Sequence, residues 1–173
     1  MKPETLFTNR INRHVPPKVR VEKMHNIYRG GTPDFWYSGN KDDLWVEYKW
    51  IPKLPVKAAV KVNLSMLQTL WLADAFEKGR NVCVIVGSPK GCAILTDGAW
   101  KLNVSHSEFR HSELAVARWL IEKLHVPIAA AWPYGSSYKS GVPDSVYIAP
   151  DCRNGTGDAP DASATERNEN ESD

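Results

Sequence analysis

A run of seven residues, Leu44-Trp45-Val46-Glu47-Tyr48-Lys49-Trp50, constrains the fold of this chain more than any other segment. Side chains on a β-strand point alternately to its two faces. The even-numbered residues therefore form one fully apolar face, while Glu47 and Lys49 share the other face with Trp45. Such a strand fits the interior of a sheet, and it holds an acidic and a basic side chain above a buried layer.

An aspartate stands shortly before this strand, in Gly31-Thr32-Pro33-Asp34-Phe35. A polar stretch with Gly39-Asn40 follows, and it predicts a hairpin that returns the chain beside itself. We therefore expect Asp34, Glu47 and Lys49 to converge. Two carboxylates suit a magnesium ion that shares its shell with a substrate phosphate. A lysine beside them could orient or deprotonate the attacking water, or offset charge on the phosphoryl group.

Each fragment also has an ordinary structural explanation. A Pro-Asp pair is common in turns, and Glu-x-Lys on a strand is common on solvated faces, where an ion pair is weak. The fragments occur together, which favours a phosphodiester-cleaving site.

Three helices are indicated around these strands. Pro3 begins a short amphipathic helix that stops before Pro16, and Ser65 with Gln68 forms a capping box for a helix ending at Gly79. A third helix is predicted over residues 112–124. The valine-rich run at 81–87 predicts a buried strand, Asp97-Gly98 predicts a hairpin joining 91–96 to 99–103, and the prolines in 51–61 predict a loop.

The order and spacing of three motifs resemble the PD-(D/E)XK nuclease superfamily. The motifs are Gly31-Thr32-Pro33-Asp34, Glu47-Tyr48-Lys49 and the helix opened by Ser65-Met66-Leu67-Gln68. The likeness is greatest to virus-type replication-repair nuclease domains, Holliday junction resolvases and phage endonucleases that resolve branched DNA, and it covers about residues 4 to 87. It implies an α/β, restriction-endonuclease-like core with a central mixed sheet flanked by helices, in the order αβββαβ.

The resemblance also implies a role for individual residues. Asp34 and Glu47 match the metal-binding acids, the backbone carbonyl of Tyr48 matches a further ligand, and Lys49 matches the catalytic lysine. The implied cofactor is Mg²⁺, with Mn²⁺ as a substitute. The implied reaction is hydrolysis of DNA by water, which leaves 5′-phosphate and 3′-hydroxyl ends.

Two further residues have a second explanation. Gln68 matches a glutamine that lies near the active site of these nucleases, but it also fits the capping box with Ser65. Glu4 matches a helical glutamate that supports the metal site, yet an acid in the first turn of a helix also interacts favourably with the helix dipole.

Charge divides the chain into two parts. Residues 151–173 contain seven acidic residues and two arginines, which leaves 20 basic and 13 acidic residues in 1–150. We expect a nuclease-like domain over 1–150 and a disordered acidic tail over 151–173. A basic excess suits DNA, although solubility alone could explain it. The candidate phosphate contacts are Lys53, Lys57, Lys61 and Arg29, with a solvated basic loop as the alternative for the lysines.

The hydropathy and the cysteine content of the sequence bear on where the protein resides. There is no apolar run of membrane-spanning length and no signal-like start, so we expect a cytoplasmic protein without a membrane partner, in the host cytoplasm if it is phage-encoded. Three cysteines without a CxxC pair argue against a disulfide framework. We expect an endonuclease specific for branched, junction or nicked DNA, and a homodimer if both strands of a junction are cut. A catalytically silent binding module, an RNA-directed function and a subunit dependent on a partner remain alternatives.

Overall fold

The computed structural model describes residues 1–25, 30–55 and 58–127, all within the unit Met1–Ser136. The helices and strands are α1 (Pro3–Asn12), β1 (Arg20–Lys23), β2 (Phe35–Ser38), β3 (Asp43–Trp50), β4 (Val60–Lys61), α2 (Met66–Glu77), β5 (Val82–Ser88), β6 (Gly91–Leu95), β7 (Asn103–Val104) and α3 (Glu113–Lys123). The three predicted helices are confirmed. The proposed tail over 151–173 lies outside the described residues. No helix within these ranges is long and apolar enough to cross a membrane.

Five strands form a central mixed sheet in the order β1-β2-β3-β5-β6. The first three strands run antiparallel as a meander, β5 runs parallel to β3, and β6 returns antiparallel to β5. The parallel pairing requires a crossover between β3 and β5, which α2 supplies. The chain is thus an α/β fold with the predicted order αβββαβ.

Hydrophobic residues on the two faces of the sheet pack into separate clusters. One cluster joins the even-numbered face of β3 to α1 and α3, with Phe7, Val46 and Leu120 at its centre. The other joins β5 and β6 to α2, through residues such as Leu72 and Val84. The predicted alternation of β3 is confirmed, because Trp45 packs against this second cluster.

The predicted hairpin at Asp97-Gly98 is wrong. Both residues do adopt positive φ angles, 52° and 81°, as a tight turn of this kind requires. The following residues, however, form a 3₁₀ helix over Ala99–Lys101, which places Trp100 at 3% exposure in the core. Burial of this large side chain replaces strand pairing there, and β6 pairs with β5 instead.

The segment 51–61 differs in part from the predicted loop. Its last two residues form β4, which pairs antiparallel with β7 in a separate two-stranded sheet. Leu54, between the prolines of this segment, is buried in the cluster that contains α2. The segment is therefore anchored at two points.

Candidate active site

Asp34 lies immediately before β2, in the connection from β1. Phe35 pairs with Val46 across the two strands, so Asp34 falls beside Glu47 and Tyr48 where β2 begins. Its Oδ2 accepts a hydrogen bond from the backbone N–H of Tyr48 at 3.0 Å. Its own carbonyl accepts one from Met24 at 2.8 Å, which fixes the backbone from the other side.

Glu47 is the central group of the site. Its side chain is 1% exposed, and its Oε1 lies 2.6 Å from Nζ of Lys49, which projects from the same face of β3. Nε2 of Gln68 donates to this same oxygen at 2.5 Å. The other oxygen, Oε2, is buried without a hydrogen-bond partner in the described part of the chain. One carboxylate oxygen is thus held by two donors while the second remains available.

The environment raises the pKa of Glu47 from 4.5 to about 7. Burial is the main cause, because it disfavours the charged carboxylate. The negative charge of Asp34 adds to this effect and that of Glu4 contributes less, while the hydrogen bond and charge of Lys49 oppose it. The carboxyl therefore exchanges its proton near neutral pH.

Gln68 contacts both the start of α2 and Glu47. Its Oε1 accepts from the backbone N–H of Ser65 at 2.9 Å, and its own N–H donates to the hydroxyl of Ser65 at 3.2 Å. This closes the predicted capping box. The same side chain bonds Glu47 through its remaining donor, so the cap of α2 is joined to the sheet.

Two glycines allow the loop before Asp34 to lie in close contact with α2. A Cβ on Gly31 would lie 2.4 Å from the carbonyl of Leu67, and one on Gly30 would meet the Leu67 side chain at 2.8 Å. Gly31 also has φ of 88°, which favours glycine. The loop therefore comes into close contact with the first turn of the helix that carries Gln68.

Beneath the site, a buried chain of hydrogen bonds fixes Tyr48. Its hydroxyl lies 2.8 Å from that of Tyr37, which donates to Oδ1 of Asn12 at 2.7 Å. The backbone N–H and C=O of a strand residue point to the same side. Because the Tyr48 N–H bonds Asp34, its carbonyl faces the side on which Asp34 lies, as a further ligand would need to do.

Glu4 lies near the site, on the first turn of α1. It lines a small pocket of about 80 Å³ together with Asp34 and Phe35. Lys23, at the end of β1, lines the same pocket and was not among the sequence candidates. Its pairing with Phe35 across the first hairpin brings it there, and that register could not be fixed before the strand boundaries were known.

The basic candidates are only partly described. Lys53 and Lys61 are exposed, and neither forms an ion pair within the described residues. They remain candidate phosphate contacts. Lys57 and Arg29 lie outside the described residues.

The donor set can accommodate a hard cation. Within 1–25, 30–55 and 58–127, no three His, Cys, Asp or Glu side chains form a ready-made cluster. The available oxygens are two carboxylates, Asp34 and Glu47, with a backbone carbonyl beside them. Magnesium sites often use one or two carboxylates and complete their shell with water and substrate phosphate. The unpartnered Oε2 of Glu47 fits that requirement.

Comparison with known proteins finds likeness among solved structures but not among sequences. No protein-family model and no curated protein matches this sequence. Among solved structures, Hjc, a Holliday junction resolvase from the archaeal hyperthermophile Archaeoglobus fulgidus, matches with a TM-score of 0.45 and 16% identity. The match covers 68% of this chain and 96% of the archaeal protein.

Proposed function

We propose that this chain is a divalent-cation-dependent nuclease that hydrolyses phosphodiester bonds in DNA. The observation that carries the proposal is the state of Glu47, a carboxylate at 1% exposure with one oxygen held by Lys49 and Gln68. Its other oxygen has no partner within the described residues, and Asp34 is fixed beside it. A fully buried glutamate serves packing poorly, since desolvation of its charge costs free energy that this arrangement does not fully offset.

Asp34 and Glu47, with the carbonyl of Tyr48, are the groups that would hold Mg²⁺ or Mn²⁺. When bound, the cation supplies Lewis-acid polarisation of the phosphate and offsets charge in the transition state. Lys49 contributes a positive charge on the same face, where it stabilises the developing charge on the phosphoryl oxygens. Gln68 fixes the orientation of Glu47, and Glu4 adds a further acid at the edge of the site.

The proposed reaction balances with water as the only co-substrate. The oxygen of water forms a bond to phosphorus, the bond from phosphorus to O3′ breaks, and the leaving oxygen takes up a proton. The products carry a 5′-phosphate and a 3′-hydroxyl. Neither oxidation nor reduction is involved.

DNA is proposed as the substrate because residues 1–150 carry 20 basic and 13 acidic residues. A small domain has few elements with which to read a long base sequence, so recognition of branched, junction or nicked structures is favoured. Cutting both strands of a junction symmetrically would require two sites, and hence a homodimer.

The proposal is tested by incubating purified protein with supercoiled plasmid, linear duplex and a synthetic four-way junction, each with Mg²⁺ or with EDTA. We expect cleavage with Mg²⁺, preferentially of the junction, and none with EDTA. Asp34→Asn should remove the activity. Binding of all three DNAs without cleavage of any would instead support the catalytically silent binding module.

A further inference from the structure

An open cleft of about 590 Å³ lies on the same sheet face as Glu47, beside the first half of β3. The proposed hydrolysis does not use it. The cleft is lined by Met24, Trp36, Asp43, Trp45, Gly79, Arg80 and Asn81.

Two tryptophans form the floor of this cleft. Trp36 and Trp45 pair directly across β2 and β3, and their ring centroids lie 6.4 Å apart. Trp45 also contacts Trp71 of α2, with the two ring centroids 5.2 Å apart. Both floor residues are half-buried, so they keep ring surface open to the cleft. Exposed aromatic rings of this kind are platforms on which nucleobases stack.

The cleft exists because the packing on this face is incomplete. The cluster beneath α2 draws its buried residues from β5, β6, α2 and the segments around them, and none of its described members comes from β1 or β2. On this face, the half of the sheet formed by β1 and β2 is therefore left without a covering helix in the described chain. Trp36 lies at the centre of that half.

Charge and polarity around the two rings suit a nucleotide better than an apolar peptide. The guanidinium of Arg20, which is ion-paired with Glu22, lies 5.6 Å from the centre of the Trp36 ring, and exposed Arg80 also lines the cleft. Arginines in such positions contact phosphates and stack on bases. Asp43 and Asn81 provide groups that can bond the edge of a base.

The cleft lies next to the candidate active site along β3. Trp45 and Glu47 are two residues apart on the same face of β3, a separation of about 6.5 Å along the strand. An extended single strand of DNA advances by about one nucleotide over such a distance. A base on Trp45 would therefore belong to a nucleotide next to the phosphate held at Glu47.

We propose that this cleft binds an unpaired nucleotide adjacent to the phosphate that is cut, by stacking its base on Trp36 and Trp45. The inference rests on the proposed nuclease function and narrows its substrate class. The substrate is DNA with single-stranded character at the cut, such as a flap, a tail or an opened junction arm. Fully paired duplex offers no free base to the cleft.

The test measures binding of the full chain by fluorescence anisotropy in EDTA, so that nothing is cut. The probes are a blunt duplex, the same duplex with a single-stranded tail, and the tailed duplex with abasic sites in place of the tail bases. The variants are Trp36→Leu, which removes the ring, and Trp36→Phe, which keeps a smaller one. Trp119→Leu is the matched control, because Trp119 is a half-buried tryptophan on α3 with Lys123 over its ring.

We expect Trp36→Leu to weaken binding of the tailed duplex about tenfold, as loss of one stacked base does. Trp36→Phe should retain most of the affinity, and Trp119→Leu should bind as the wild type does. The abasic tail should bind to wild-type protein about tenfold more weakly than the intact tail does. This comparison needs no variant, so it can overturn the proposal even if Trp36→Leu fails to fold.

Equal affinity of the wild type for intact and abasic tails would overturn the proposal, and so would an unchanged affinity of folded Trp36→Leu. The latter result would be expected if the cleft instead receives a protein partner. These outcomes are separate from failure of the nuclease. A chain that shows the stacking dependence but cuts nothing with Mg²⁺ would keep the cleft and lose the proposed catalysis.

Discussion

Gln68 donates a hydrogen bond of 2.5 Å to Glu47 while its other side-chain atom caps α2 through Ser65. One side chain thus ties the start of the crossover helix to the acid on β3. The loop before Asp34 is held against the same turn by Gly31. The three parts of the chain that supply the site are therefore positioned by one helix terminus.

Replacement of Gln68 should separate its two roles. Gln68→Glu keeps an acceptor for the Ser65 N–H, so α2 stays capped, but it places a carboxylate against Glu47. We expect folding to be largely retained and DNA cleavage to fall by about 100-fold, because the acid is no longer oriented by a donor. Ser65→Ala is the control. It should lower the free energy of unfolding by about 1 kcal/mol with a smaller effect on cleavage. Urea unfolding and cleavage rates measured on both variants check this, and equal cleavage rates would contradict it.

The stability of the protein should depend on pH through Glu47. Its pKa in the fold is about 7, above the ordinary value of 4.5. The folded state therefore favours the protonated acid, and this stabilisation is complete below about pH 4.5 and lost as the pH rises through 7. Relative to Glu47→Gln, the wild type should lose about 3 kcal/mol of unfolding free energy across that range. Urea unfolding of both proteins from pH 4 to pH 8 measures this difference. If the two unfolding free energies change with pH in the same way, the raised pKa of Glu47 is contradicted.

Cation binding should become tighter as the pH rises through the pKa of Glu47. A cation needs the ionised carboxylate, so it competes with the proton on Glu47. We expect Mg²⁺ or Mn²⁺ to raise the melting temperature at pH 8 and to have little effect at pH 6. The rise should be absent in Asp34→Asn and in Glu47→Gln. Thermal unfolding with and without the cation tests this, and a pH-independent rise that persists in both variants would place the cation elsewhere.

Removing the hydroxyl of Tyr37 should destabilise the protein more than removing that of Tyr48. Tyr37 donates to Asn12, so the hydroxyl of Tyr48 is the donor between the two tyrosines. Tyr37→Phe leaves both Asn12 and Tyr48 without a partner, and it should cost about 2 to 3 kcal/mol of unfolding free energy. Tyr48→Phe leaves Tyr37 still bonded and should cost about 1 kcal/mol. Denaturant unfolding distinguishes these values, and the reverse order would refute the assigned direction of the bonds.

Gly31 and Gly79 form a matched pair for testing the loop contact. Both have positive φ, 88° and 73°, but a Cβ on Gly79 would meet no atom within 4 Å, whereas one on Gly31 would clash with the Leu67 carbonyl. Gly79→Ala should cost about 1 kcal/mol from backbone strain alone. Gly31→Ala should cost at least about 2 kcal/mol more, since backbone atoms must shift. It should also reduce cleavage. Equal losses of stability would show that the contact with α2 is not essential.

Local patterns predicted the three helices and the proximity of Asp34, Glu47 and Lys49, whereas the central mixed sheet was implied by the resemblance to the nuclease superfamily. The alternation around Glu47 and Lys49 identified both faces of β3, and the capping box identified the start of α2. The features that local patterns missed depend on how distant parts of the chain pack together. Lys23 reaches the site through strand register, and the cleft at Trp36 exists because no described helix covers that face of β1 and β2. The hairpin at Asp97-Gly98 failed because burial of Trp100, a tertiary effect, outweighed the local turn signal.

Glu47 and Lys49 are proposed to form a catalytic pair rather than a structural one. The most direct measurement is the single-turnover rate of DNA cleavage with Mg²⁺ for Glu47→Gln and Lys49→Met. The control pair is Asp74→Asn and Lys78→Met, which alter a similar acid and lysine 2.7 Å apart on the surface of α2. We predict a loss of at least about 100-fold for the first pair and no significant loss for the second. Folded Glu47→Gln and Lys49→Met proteins that cleave DNA at the wild-type rate would contradict the account.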